Sequence, residues 1–171
     1  MAQISQIKVT TILHKCDNGA TAEERGKAFE DLVKYLFSRI PGMKYNQQDR
    51  IDYSNTQEID LAFWNDKLSF LPYVILIECK NWKDPIGSPE VIVFKEKLNS
   101  RGLEFGIIVA TNGLTGNTAD RNAAHNVISS ALQQKLRIIV FNKEDLLSFT
   151  STTDIVETIK MKLLDLAVIR T

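Results

Sequence analysis

Glu78-Cys79-Lys80 sets a carboxylate and an ammonium two residues apart, at the end of the apolar run Tyr73-Val-Ile-Leu-Ile. Alternate side chains of a strand share a face, so Glu78 and Lys80 point one way and Cys79 the other. Charges at the end of a buried strand are costly unless they pair, bind something or reach water. The segment predicts either a site or a strand end in solvent with Lys80 extended outward. Asp60 is the second unusual charge, inside Glu58-Ile-Asp60-Leu-Ala-Phe-Trp64. That run reads as a strand, where aspartate is depleted. Adjacent strands lie about 5 Å apart, so Asp60 and Glu78 at matching heights can share one ion. Carboxylate oxygens without cysteine or histidine partners suit a hard cation, Mg2+ or Mn2+. Such an ion lowers the pKa of a bound water and neutralises phosphate charge. A lysine beside it can hold the water or the developing charge.

The elements that must position these residues follow from caps and periodicity. Residues 1–20 fit a short helix or an edge strand, with a turn at Lys15–Gly19. Thr21-Ala-Glu-Glu24 is a capping box opening a helix to about Ile40, where Pro41-Gly42 stops it. Phe29, Leu32, Val33, Leu36 and Ile40 form its buried stripe, and Glu30 borders that stripe. Gly26, one turn earlier, weakens the helix and predicts close approach to another backbone. Met43–Gln48 reads as a short strand and 47–57 as a polar, turn-rich stretch. Strands follow at 58–64 and 73–82. Ser88 and Pro89 start a helix running to Gly102, with Ser88 as N-cap. Phe105–Ala110 is a strand buried on both faces, and Asn117 or Thr118 caps a helix to about Lys135. Leu136–Phe141 is a last strand, Asn142–Leu147 a capped turn, and Asp154 with Glu157 opens a final helix to about Ile169.

Short turns make the first strands antiparallel, and crossover helices make the later ones parallel. The fold class is α/β, a mixed central sheet flanked by helices on both faces. The 171 residues read as one domain, with a core of about 20–150 and appended segments 1–20 and 152–169. Lysine plus arginine and aspartate plus glutamate number 21 each, so no overall field recruits a polyanion. Two cysteines are too few for a disulfide framework, and a reducing, cytoplasmic setting fits. The sequence predicts neither a signal peptide nor a membrane span.

Helix Glu30, strand Asp60 and strand-end Glu78-Cys79-Lys80, in that order, resemble the PD-(D/E)xK nuclease superfamily. Glu58-Ile-Asp60-Leu and Ile77-Glu-Cys-Lys-Asn-Trp82 most resemble its Mrr-type restriction endonuclease domain. The resemblance covers about residues 20–150 and implies a restriction-endonuclease-like sandwich. It implies that Asp60 and Glu78 ligate Mg2+ or Mn2+, that Lys80 orients or activates the attacking water, and that Glu30 completes the site or serves a second metal. Ile59 stands where the superfamily name has proline, and Asn55-Thr-Gln-Glu stands where the Mrr-type pattern often has glycines. Asn81, Trp82 and Lys83 are possible substrate contacts. Thr111 and Asn112 end a strand nearby, as phosphate contacts or as a turn. Lys83, Lys95, Lys97, Arg101 and Arg121 either line a DNA path or form a solvated face.

The implied function is a Mg2+-dependent DNA endonuclease of restriction or defence type, as a homodimer, with specificity from loops, DNA structure or a separate subunit. A Holliday-junction resolvase or repair nuclease on the same fold is the alternative. A DNA-binding or assembly subunit that no longer cleaves is the alternative of another class.

Overall fold

The computed structural model describes residues 2–51 and 58–168. Among the described residues eleven elements occur, in the order α1 Gln6–Asn18, α2 Ala22–Phe37, β1 Met43–Ile51, β2 Glu58–Asn65, β3 Val74–Lys80, α3 Ser88–Asn99, β4 Phe105–Ala110, α4 Thr118–Gln133, β5 Arg137–Phe141, α5 Lys143–Ser148 and α6 Thr152–Val168. The five strands form one sheet in sequence order, β1-β2-β3-β4-β5. β1, β2 and β3 pair antiparallel, while β3–β4 and β4–β5 pair parallel. That split follows from the connections, since only the parallel pairs are joined through helices α3 and α4. No helix among the described residues is long and apolar enough to cross a membrane.

Local chemistry starts most helices where the sequence predicts. Glu24 N–H donates to Thr21 Oγ1 at 3.1 Å, and Thr21 N–H donates back to Glu24 Oε2 at 3.3 Å, completing the capping box of α2. Asn117 caps α4 by accepting from Ala119 N–H at 3.0 Å. Several boundaries differ. The first segment is helix α1, capped by Ser5, which accepts from Lys8 N–H. The N-cap of α3 is Gly87, not Ser88, because Glu90 Oε2 accepts the Gly87 N–H at 2.8 Å. β1 extends to Ile51, since its backbone pairs with β2 as far as Ile51↔Glu58. Residues 47–51 of the expected turn-rich stretch 47–57 are thus strand, and its remainder, 52–57, lies outside the described residues. β3 ends at Lys80, so Asn81 and Trp82 leave the strand.

Alternation along the strands builds two core layers. Ile75 and Ile77 of β3, with Phe105, Ile107 and Val109 of β4, face α1, α2 and α6. Leu76, Ile108 and Ala110 face α3 and α4. By the same alternation Glu78 projects toward α3, and Cys79 toward the α2 layer. Phe37 packs at 6.2 Å from Phe63 and 6.0 Å from Phe141, tying α2 to both β2 and β5. Fully burying one such ring contributes about 2–3 kcal/mol.

Two glycines have opposite meanings. Gly26 meets nothing within 4 Å of a built Cβ, so the expected close approach of α2 to another backbone does not occur. Gly106 is the close approach. A Cβ there would lie 2.6 Å from Phe94 Cζ and 3.0 Å from Leu98 Cδ1, so α3 sits directly on β4. Gly106→Ala is expected to destabilise by about 1–3 kcal/mol, because a buried ring and the helix behind it must move. A thermal melt unchanged from wild type would show that the contact relaxes freely.

Candidate active site

Asp60 and Glu78 are brought together by strand register. β2 and β3 pair from Trp64↔Val74 to Leu61↔Ile77, and one further step sets Asp60 across from Glu78. The Asp60 side chain then replaces the ladder, its Oδ2 accepting the Cys79 N–H at 2.6 Å. Ala62, next on the same side of β2, packs against the α3–α4 layer, so Asp60 and Glu78 share that face.

Glu78 is buried at 5% exposure. Lys80 Nζ lies 2.8 Å from its Oε1. A second lysine, Lys97 of α3, donates to Oε2 at 2.7 Å and Oε1 at 3.0 Å. Lys97 is itself only 7% exposed, so it belongs neither to a solvated helix face nor to a DNA path, as the sequence reading had it. Its signal is present in the sequence, since Lys97 falls beside Leu98 and three residues after Phe94, inside the apolar stripe of α3.

The pair's electrostatics are uneven. Burial, and then the Glu78 charge, push the Asp60 carboxyl up from 3.8 to about 7, against the opposing pull of Cys79 N–H, Lys80 and Lys97. For Lys80 burial pulls the ammonium down, but the charge and hydrogen bond of Glu78 outweigh it and leave Lys80 above its ordinary value. Lys80 therefore keeps its proton near neutral pH and acts as a donor rather than a base. Burial raises Cys79 well above the usual range and Cys16 to about 12, which disfavours the thiolate form of both.

Glu30 reaches the sheet from its other layer. It lies on α2, which covers the Cys79 side of the sheet, and it approaches Lys27 at 3.6 Å with its side chain 19% exposed. It borders the core, as its place beside the apolar stripe predicts, and its charge acts on Cys79. Among the described residues no three His, Cys, Asp or Glu groups come close enough together to hold a metal. Asp60 and Glu78 are thus the two protein donors at hand. A buried Glu78 and a half-buried Asp60 set opposite each other, Asp60 pushed toward protonation by burial and then by Glu78, fit a hard oxygen-seeking cation. Glu30→Gln is expected to reduce cleavage less than Asp60→Asn does. Equal losses in plasmid-nicking assays would make Glu30 a direct ligand.

The residues after Lys80 divide into struts and surface. Asn81 Nδ2 donates to Cys16 O and to Arg25 O, both at 3.0 Å, while its Oδ1 accepts from Thr111 Oγ1 at 2.8 Å. Both amide hydrogens are committed, so Asn81 clamps the end of β3 to α1 and α2 in place of the expected substrate contact. Asn112 Nδ2 donates to Trp82 O at 2.8 Å and Lys83 O at 2.9 Å, holding that loop as a turn. Trp82 is 47% exposed, and Lys80 Nζ lies 5.3 Å from its ring centroid. It flanks Lys80 at the strand end. Arg25, Trp82, Lys83 and Lys143 line a depression of about 310 Å3 beside the strand end. Lys143 is held there by Asp17 at 2.9 Å. Lys95 is half-buried, Arg121 is exposed, and Arg101 donates to Lys97 O at 3.0 Å.

The restriction endonuclease family model matches residues 21–149, from the cap of α2 to just past α5. The chain belongs to the Mrr-type restriction endonuclease family. Among curated proteins none matches it significantly. The Mrr-type match spans every strand described and Glu30, Asp60 and Glu78, leaving α1 and α6 outside it. The mixed five-stranded sheet with helices on both faces is the restriction-endonuclease-like architecture, and the chain is a nuclease domain of that type.

Proposed function

We propose that this protein is a metal-dependent endodeoxyribonuclease that hydrolyses DNA phosphodiester bonds in a restriction or defence role. It acts in the cytoplasm as a homodimer, and residues 1–171 form a single nuclease domain. The observation that carries the reading is the opposed carboxylate pair, Asp60 and Glu78, with the Lys80 ammonium 2.8 Å from Glu78 at an open strand end. Asp60 and Glu78 would hold Mg2+ or Mn2+, which supplies positive charge against the phosphate and favours attack by water. Lys80, protonated, donates to the attacking water or to the charge that develops on phosphorus-bound oxygen. Trp82 and Lys83 flank the bound strand, with Arg25 and Lys143 attracting its backbone. One such site cuts one strand, so a double-strand break uses two copies.

Supercoiled plasmid incubated with and without Mg2+ tests the reading. Nicking or linearisation that requires the metal is the expected result. A folded protein that leaves plasmid intact in both Mg2+ and Mn2+ would refute it. A branched-DNA arm separates restriction-type cleavage from junction resolution, since only a resolvase prefers the branch over linear duplex.

A further inference from the structure

We infer that the depression beside the strand end is a subsite for one unpaired nucleotide of the substrate strand, its phosphate held by Arg25, Lys83 and Lys143 and its base laid against Trp82. The inference deepens the nuclease reading above and rests on it for the identity of the strand. The depression lies outside the carboxyl ends of β3 and β4, where the parallel half of a sheet opens its crevice. Three of its lining residues are cationic and one, Asp17, is anionic, in a chain whose charges balance overall. That local excess suits a phosphate. Arg25 spends one N–H on Gly19 O at 2.7 Å, and a guanidinium has five to give.

Charge alone would fit a bare anion or the outside of a duplex. Two further observations favour a nucleotide. The space of about 310 Å3 is far larger than one phosphate and lies at the lower end of pockets that take small organic molecules. Trp82, 47% exposed, forms part of the wall and offers a flat ring on which any base can stack. The Lys80 ammonium lies 5.3 Å from that ring, so a nucleotide stacked there neighbours the reacting position. A base inside a duplex is stacked on both sides and enters a pocket only after leaving the helix. The subsite therefore favours DNA with an unpaired or extruded nucleotide beside the cut.

The walls are tied together without a ligand. Asn81 donates to Cys16 O and Arg25 O, Asn112 to the carbonyls of Trp82 and Lys83, and Lys143 N–H to Thr111 O at 3.2 Å. Such preorganisation lowers the ordering cost of binding. Cys16 and Asp17 belong to α1, so this wall lies outside the matched family domain. Asp17 accepts from Lys143 through both oxygens, at 2.9 and 3.0 Å, and a phosphate competes with it for that ammonium.

The test is metal-free nuclear magnetic resonance of the isotope-labelled protein, read at the indole N–H signals of its two tryptophans. Trp64 is the internal control, since it sits at the other end of the β2–β3 pairing with Nε1 donating to Asp66 Oδ1 at 2.6 Å. Thymidine monophosphate is expected to shift the Trp82 signal saturably and to leave Trp64 in place. Thymidine is expected to bind about tenfold more weakly, for want of the phosphate. Lys143→Gln should weaken the nucleotide roughly threefold or more, and Asp17→Asn should tighten it by a similar factor. A merely structural Asp17 would give no tightening, and that result would overturn the inference. So would an unmoved Trp82, or thymidine bound as well as its monophosphate. A single-stranded thymidine oligonucleotide is expected to shift Trp82 at lower concentration than a fully paired duplex does. An equal response to the duplex would make the depression a backbone groove and overturn the unpaired-nucleotide assignment. A response to the mononucleotide with none to single strands would overturn the assignment to the substrate strand. Because no metal is present, failure here is separate from failure of the nuclease reading, which plasmid cleavage decides.

Discussion

Lys80→Met is expected to bind Mn2+ and DNA much as wild type does, yet to cleave at least about a hundredfold more slowly. Two observations set that expectation. The first is that Glu78 does not depend on Lys80 alone. Lys97 holds it at 2.7 Å, so removing the Lys80 ammonium leaves the buried carboxylate paired and the fold intact. The second is that Lys80 is the more exposed lysine, 24% against 9% for Lys97, and so the one able to reach a bound strand. Its raised pKa makes it a hydrogen-bond donor at neutral pH, acting on charge that grows during the reaction. A donor of that kind typically contributes a factor on the order of 100 to 1,000. Methionine keeps the apolar stem against Trp82. The check is a single-turnover nicking assay beside Mn2+ titration. Wild-type cleavage in Lys80→Met would remove Lys80 from the chemistry. Lost metal binding in a folded variant would make it an organiser of the carboxylates.

Asp60→Asn is expected to lose Mn2+ binding and cleavage, and to melt higher than wild type in metal-free buffer at pH 8. The asparagine oxygen still accepts the Cys79 N–H that Asp60 accepts at 2.6 Å, so the strand junction survives. What disappears is a half-buried charge facing Glu78. Asp60 has its folded pKa raised from 3.8 to about 7, so the folded state holds this proton more tightly than the unfolded state does. Its contribution to stability is therefore best at low pH. The contribution declines as pH rises from near 4 through 7, and the full cost of ionised Asp60 applies above that. That cost is on the order of 2–4 kcal/mol, or roughly 5–10 °C in Tm for a chain of this size. The advantage of Asp60→Asn should be present at pH 8 and should vanish toward pH 4. Excess Mn2+ should stabilise wild type only, by about 2.7 kcal/mol at a hundred times Kd. An unfolded Asp60→Asn at all pH values would assign Asp60 a structural role instead.

Much of this protein is decided within a few residues of chain. The capping box at Thr21 and Glu24 and the Asn117 cap need only local hydrogen bonds, so the sequence alone determines where α2 and α4 begin. The two-sided apolar runs at 73–77 and 105–110 determine central strands, because no half-exposed strand tolerates them. Helix Glu30, strand Asp60 and Glu78-Cys79-Lys80, in order, determine the nuclease family that the match over residues 21–149 shows. Tertiary structure decided the rest, because the deciding contacts join residues far apart in the chain. Asp60 meets Glu78 only through the β2–β3 register. Asn81 is a clamp because the ends of α1 and α2 arrive beside it. Glu30 comes to the Cys79 side of the sheet because α2 packs on the other face from α3. Lys97 looks like any helix lysine until α3 lies down on Gly106. Burial then turns an ordinary surface charge into the closest partner of Glu78, since an ammonium in the core persists only where a carboxylate meets it.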